Sequence, residues 1–253
     1  MYRALIAQQR ASIEEAINDK ENLHRRQSPI DISTKNCIFD GKLCDAHSFN
    51  ITYTPGDCER IIINPGKGWQ VAAVPNATTS LTASHLKSTY RFLQFHAHWG
   101  STSDCGSEHT IDGKRFASEI HFVFWNSMYS SPAEAQTRSD GLAVVGVFVE
   151  EGNYNADFAY VTSQISEALN NDNVAYISND FDMNKMIPSG SDLVHYTGSL
   201  TTPPYTECVM WTVLLNPVQI SSNQLFHFRK ICSDNWRECQ HLYGRQTFSS
   251  KSF

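Results

Sequence analysis

Short apolar runs, separated by clusters of polar residues, glycine and proline, recur along this chain. Such runs predict β-strands when they are rich in β-branched and aromatic residues. Successive residues of a strand face opposite sides, so His121 and Val123, two residues apart, are expected to share one face. The clearest candidates are residues 60–63 (RIII), 120–125 (IHFVFW) and 142–149 (LAVVGVFV). The last run is apolar on both faces, which is typical of a strand in the middle of a sheet.

Helical periodicity is weaker. Residues 158–170 carry Ile165 and Leu169 at helical spacing and predict one internal helix, and residues 11–20 predict another short helix. We find no internal repeat, low-complexity tract or interdomain linker. The pattern therefore favours strands and loops over long helices, within one large domain.

Composition narrows the class of protein without identifying it. The chain has 253 residues, of which 41% are hydrophobic and 18% are charged, as in globular proteins. Its net charge of −6 gives no reason to expect nucleic acid or an anionic membrane as a partner. No apolar run approaches the roughly 20 residues that a membrane-spanning helix needs.

Three histidines carry the candidate chemistry. His96 and His98 are two residues apart in QFHAHWG, and His121 follows in SEIHFVF. If 96–98 is a strand, both side chains point to the same face, and a neighbouring strand can supply His121. Three neutral imidazoles leave one position of a tetrahedral Zn²⁺ open, as in catalytic zinc sites. An isolated HxH pair is more often two ordinary strand histidines, so the surrounding residues decide.

Those surroundings resemble the α-class carbonic anhydrases. The matching stretches follow one another in the family's order, from Gln27 nearly to the end of the chain. They are QSPIDI (27–32), QFHAHWG (94–100), GSEHT (106–110), EIH (119–121), YTGSLTTPP (196–204) and DNWR (234–237). Six motifs in order make chance similarity an unreasonable explanation.

The resemblance implies both a fold and an activity. It implies an α+β, β-dominated single domain, residues 27–253, on a large twisted, mostly antiparallel sheet with surface helices and a conical cleft. The activity that it implies is zinc-dependent, reversible hydration of CO2 to bicarbonate and a proton. The expected partner is this small-molecule substrate, and the expected state is a monomer. Two alternatives are a non-catalytic carbonic-anhydrase-like binding module, which typically lacks one or more of the histidines, and zinc esterase activity as a side reaction.

The resemblance also assigns roles to individual residues. His96, His98 and His121 are the metal ligands, and Gln94, the backbone carbonyl of Asn235 and Glu119 accept their second N–H groups. Glu108 accepts a hydrogen bond from the Thr201 hydroxyl, and Thr201 in turn orients the attacking hydroxide. The backbone N–H of Thr201 stabilises the developing negative charge. Thr202 contacts bicarbonate, and four apolar residues form the wall of the CO2 pocket: Val123, Val144, Leu200 and Trp211. His109 and Tyr196 match as buried hydrogen-bonded residues.

The chain departs from the family pattern in three places. Lys67 stands where the most active members carry a proton-shuttling histidine, and a lysine holds its proton too tightly to shuttle well near neutral pH. Residues 1–26 are polar and do not match. The seven cysteines include no residue at the positions of the bridge in secreted members, where Asn22 and Tyr205 stand instead. This favours the cytoplasm, with secretion open if the amino terminus is an incomplete or alternative start.

Overall fold

A large twisted sheet organises residues 25–253, the part of the chain that this computed structural model describes. Within these residues the strands are β1 (Asp31–Ile32), β2 (Ile38–Phe39), β3 (Asn50–Thr52), β4 (Cys58–Asn64), β5 (Gly68–Ala73), β6 (Ser80–Thr82), β7 (Tyr90–Trp99), β8 (Thr110–Ile111), β9 (Ser118–Asn126), β10 (Leu142–Glu151), β11 (Val174–Tyr176), β12 (Leu193–Gly198), β13 (Val209–Ile220) and β14 (Phe248–Ser249). The 12-stranded sheet runs β11-β4-β5-β7-β9-β10-β13-β12-β14-β2. Strand β6 also pairs with β7, and β3 pairs with β6. Most of its pairs are antiparallel, whereas β10–β13 and β14–β2 are parallel. The predicted β-dominated α+β fold is confirmed.

The three predicted strands lie within β4, β9 and β10. Strand β10 pairs with β9 on one side and with β13 on the other, and its first eight residues are all buried. A strand that is covered on both faces by core has no solvent-facing positions, which explains its continuous apolar run.

Within residues 25–253 the α-helices are few. In chain order they are α1 (Pro132–Ala135), α2 (Ala156–Asn170) and α3 (Ser222–Arg229). The predicted helix at 158–170 is therefore present, and it begins two residues earlier. The side chain of Asn155 accepts hydrogen bonds from the backbone N–H groups of Asp157 and Phe158, which fixes that start. The predicted helix at residues 11–20 lies outside the described residues.

The sheet separates two apolar cores. The larger contains Phe95 and Phe122, and the smaller contains Val123, Val144 and Trp211. Adjacent residues of one strand enter different cores because their side chains alternate in direction. Among the described residues, none of the helices has the length and apolar character that a bilayer span requires.

Candidate active site

His96, His98 and His121 converge at the centre of the sheet. His96 and His98 share one face of β7, and the register of β7 with β9 places His121 directly opposite His96. The Nε2 atoms of His96 and His98 lie 3.1 Å apart, and the three residues offer ligand atoms that all lie within 4.8 Å of one another. The alternation of one strand and the pairing of two strands are thus sufficient to build the cluster.

The second nitrogen of each ring is held by an acceptor. His96 Nδ1 lies 2.8 Å from Gln94 Oε1, His98 Nδ1 lies 2.8 Å from the Asn235 backbone oxygen, and His121 Nε2 lies 2.8 Å from Glu119 Oε1. A ring that donates from one nitrogen presents a lone pair at the other. The donors left for a metal are therefore His96 Nε2, His98 Nε2 and His121 Nδ1. The acceptors are those that the resemblance implies.

Burial keeps these rings neutral. It lowers the pKa of His96 well below its usual value, with further lowering from His98 and His121, and it lowers the pKa of His98 to about 3. The pKa of His121 is also lowered by burial, although Glu119 opposes this. Three uncharged nitrogen donors suit Zn²⁺.

The spacing of the two donors on β7 fits such an ion. Two nitrogens bound tetrahedrally to one zinc at roughly 2.0–2.1 Å must lie about 3.4 Å apart. The separation of 3.1 Å between His96 Nε2 and His98 Nε2 needs only a small adjustment to meet this distance.

Glu119 lies behind His121 and fixes the orientation of its ring. Its carboxylate accepts from the backbone N–H groups of Glu108 and His109 at 3.0 and 2.8 Å, and it contacts His109 Nδ1 at 2.7 Å as well as His121. Burial opposes its ionisation, but His109 and His121 outweigh burial and hold its pKa well below the usual range. With its oxygens engaged in this way, Glu119 supports a ligand and is not itself free to bind metal.

A glycine makes room for this carboxylate. A Cβ atom at Gly146, which pairs with His121 across β9 and β10, would lie 2.9 Å from Glu119 Oε1. Any side chain at position 146 would therefore displace Glu119. The sequence analysis missed Gly146, because nothing in the apolar run LAVVGVFV indicates which atom approaches it.

Glu108 is buried beside the cluster, and its two oxygens have different surroundings. Oε1 accepts from the backbone N–H of Arg237 at 2.9 Å, whereas Oε2 has no hydrogen-bond partner. Burial raises the pKa of Glu108 well above its usual value, and the nearby Thr201 hydroxyl lowers it in part. Thr201 is thus close enough to act on the carboxylate, although the pair does not reach the geometry of a full hydrogen bond.

The predicted apolar wall surrounds a small recess at the cluster. A cavity of about 60 Å³ is lined by Val123, Val144, Leu200, Thr201, Thr202 and Trp211, together with Gln94, His96 and His121. All six predicted substrate-binding residues therefore share one cavity with two of the predicted ligands.

Lys67 lies on the outer part of the cleft. It belongs to the tight turn between β4 and β5 and lines a cavity of about 200 Å³ with His96, His98, Thr202 and Asn235. The turn is fixed to the site, because Asn235 Nδ2 donates to the Lys67 backbone oxygen at 2.9 Å. The two cavities share Gln94, His96 and Thr202, so Lys67 and the predicted substrate-binding residues lie along one cleft. Glu108 and Glu119 are buried and line neither cavity.

Comparisons with known proteins identify the family of this chain. The family model described as eukaryotic-type carbonic anhydrase matches residues 15–251. Carbonic anhydrase 3 from Sus scrofa is 37% identical over 231 residues, covering 87% of this chain and 87% of the relative, and the Bos taurus protein of the same name is 36% identical over the same span. Carbonic anhydrase 1 from Oryctolagus cuniculus is 37% identical over 210 residues, covering 83% of this chain and 87% of the relative. The family match begins inside the segment 1–26, and the domain boundary at residue 27 stays a prediction.

Proposed function

The chain belongs to the eukaryotic-type carbonic anhydrase family, and from this premise we propose that it hydrates CO2 reversibly at a zinc ion held by His96, His98 and His121. The observation that carries the proposal is the orientation of the three rings. Each ring directs one nitrogen to a fixed acceptor and the other toward its two neighbours. Such an arrangement is typical of ligands whose tautomers are set by the residues behind them.

When bound, zinc lowers the pKa of a water ligand to about 7, the value known for carbonic anhydrases, and so supplies hydroxide at neutral pH. The protein's contribution begins with Gln94, the Asn235 carbonyl and Glu119, which hold the three rings in one orientation. A nearby cation also favours the ionised form of a buried carboxyl group, so ion binding and ionisation of Glu108 support each other.

Thr201 and Glu108 orient the nucleophile. An ionised carboxylate accepts hydrogen bonds and donates none, so Glu108 Oε2 accepts a hydrogen bond from the Thr201 hydroxyl. The Thr201 oxygen must then accept a hydrogen bond from the attacking hydroxide, which turns a hydroxide lone pair toward the substrate. The unpartnered Oε2 atom supports this role, since a buried carboxylate oxygen without a partner is unfavourable.

CO2 lies against the apolar wall of the cavity formed by Val123, Val144, Leu200 and Trp211. CO2 is neutral and forms only weak hydrogen bonds with water. It therefore loses little when it enters an apolar recess. The backbone N–H of Thr201 stabilises negative charge on the substrate oxygen, and Thr202 contacts the bicarbonate product.

Lys67 makes proton export the slow step. The proton that the reaction releases must leave the cleft, and an ordinary lysine exchanges protons poorly near neutral pH.

We further propose a monomer that works in the cytoplasm. The seven cysteines are all unpaired, which is typical of reducing compartments.

The test is to measure zinc content and CO2 hydration on the same purified protein. We expect about one zinc per chain, activity that a chelator removes, and recovery when zinc is restored. Zinc binding without hydration would favour the alternative of a non-catalytic binding module. Hydrolysis of an activated ester that depends on the same zinc would be a side reaction of the same site.

A further inference from the structure

The loop that carries Thr201 is closed by few backbone contacts. The N–H of Leu200 donates to the Thr206 oxygen at 3.0 Å, and the N–H of Tyr205 donates to the Thr202 oxygen at 2.9 Å. Tyr205 adopts a φ of 59°, in the left-handed region that a bulky residue rarely occupies. A residue held in this conformation needs contacts from the rest of the fold to keep it there.

Those contacts come from the segments around Gln27 and Arg237. The Arg237 guanidinium carbon lies 3.9 Å from the centroid of the Tyr205 ring. Gln27 Nε2 donates to the Tyr205 backbone oxygen at 3.1 Å, and Arg237 Nη1 donates to Gln27 Oε1 at 2.9 Å and to the Ser28 oxygen at 2.8 Å. Ring, backbone and side-chain contacts thus fasten Tyr205 to two other parts of the chain.

The same arginine holds the partner of Thr201. The backbone N–H of Arg237 donates to Glu108 Oε1 at 2.9 Å, while its guanidinium packs on Tyr205, four residues after Thr201. One residue therefore contacts the carboxylate with its backbone and the threonine loop with its side chain. The distance between Glu108 and Thr201 depends on both contacts.

We propose that Tyr205 and Arg237 are positioning residues that hold the Thr201 hydroxyl against Glu108. Neither side chain touches the substrate cavity or the three histidines among the contacts described above. They act through the loop, and this inference rests on the proposed function of Thr201 and Glu108.

Tyr205→Leu removes the aromatic face and keeps a bulky side chain. We expect a loss of about fivefold to tenfold in kcat/KM for CO2 hydration, as befits a partly buried cation–π contact, with zinc content unchanged. Tyr205→Phe keeps the ring and should stay within about twofold of the original rate. Phe226→Leu is the matched control, because Phe226 also packs under a cation, Lys230, but lies on α3 away from the cleft.

A second background separates positioning from general destabilisation. In Thr201→Ala, the hydroxyl that Tyr205 positions is gone, so adding Tyr205→Leu should cost clearly less activity than it costs in the original chain. Equal losses in the presence and absence of the hydroxyl would overturn the proposal, as would full activity of Tyr205→Leu alone.

Hydrogen exchange provides a readout that does not depend on catalysis. The amides of Leu200 and Tyr205 should exchange faster in Tyr205→Leu than in Tyr205→Phe, because the loop loses its ring contact. Unchanged exchange would refute the proposal that the Tyr205 ring fastens this loop, even if the enzyme is active. If the unmodified protein fails to hydrate CO2, the proposed function is wrong, while the exchange rates still decide whether Tyr205 fastens the loop.

Discussion

Replacing His85 by phenylalanine should make the fold more resistant to acid. His85 is buried and stacks on His195, with ring centroids 4.5 Å apart. Its Nε2 lies 2.7 Å from Thr212 Oγ1, but its Nδ1 has no hydrogen-bond partner. A proton added at Nδ1 would place a charge in the core without an acceptor, beside a second imidazole. Burial, reinforced by His195, accordingly lowers the pKa of His85 from 6.5 to about 3.

The sign of the effect follows from proton linkage. Between pH 6.5 and pH 3 the unfolded chain binds a proton at His85 and the folded chain does not. Acidification therefore favours unfolding. The loss of stability begins as the pH falls through the pKa that His85 has in the unfolded chain. At about 1.4 kcal/mol for each pH unit, the fold loses roughly 2 kcal/mol at about pH 5 through this residue alone, and about 5 kcal/mol by about pH 3.

The measurement is the difference in unfolding free energy between about pH 7.5 and about pH 5, obtained from urea titrations of the metal-free proteins. Phenylalanine leaves the Thr212 hydroxyl without its partner and lowers stability by about 1–3 kcal/mol at neutral pH. This cost is the same at both pH values and cancels in the difference. The acid-induced loss should be about 2 kcal/mol smaller in His85→Phe than in the original chain.

His47→Gln is the matched control, because it removes an exposed histidine. Its acid-induced loss should equal that of the original chain. The reasoning fails if His85→Phe loses as much stability on acidification as the original chain, since the unpartnered ring would then have no part in acid unfolding.

Three further predictions concern the active site. His96→Ala should lose most of its zinc, as measured by elemental analysis after dialysis, and full occupancy would contradict the ligand assignment. Thr201→Ala should keep its zinc and lose about a hundredfold in CO2 hydration, whereas unchanged turnover would reduce Glu108 and Thr201 to a structural pair. Lys67→His should raise turnover at low buffer concentration and weaken the acceleration by added imidazole buffer, and identical rates for both proteins in both conditions would show that another step is slower.

Much of the site follows from strand geometry that the sequence itself displays. The two-residue spacing of His96 and His98 predicts a shared face, and the apolar run at 142–149 predicts a central strand, as the structure shows. The register that sets His121 opposite His96 cannot be read from local spacing in this way. It depends on how β7 and β9 pair over their whole length, and two strands of this kind offer several registers that bury apolar residues. Only the resemblance to a family supplied that contact.

Contacts between distant segments were the least predictable. The need for glycine at 146 arises from the position of a carboxylate on the neighbouring strand. The link from Arg237 to both Glu108 and Tyr205 joins residues about 130 and 30 positions apart, as the bonds and ring contact show. No local pattern encodes such contacts, because each depends on how loops from different parts of the chain settle on a completed sheet.

The alternation of strands also places the acid-sensitive pair and the active site on opposite faces of the same two strands. His195 pairs with Thr212 and Tyr196 pairs with Trp211 across β12 and β13. Trp211 lines the cavity that also contains His96 and His121, so its neighbour Thr212 points away from the cavity and toward His85. Protonation of His85 would therefore destabilise the two strands that carry Trp211 without altering the three histidines of the proposed metal site. Acid inactivation through His85 and His195 should follow the unfolding curve. Protonation of the three histidines is a separate process, because it would release metal from a chain that is still folded.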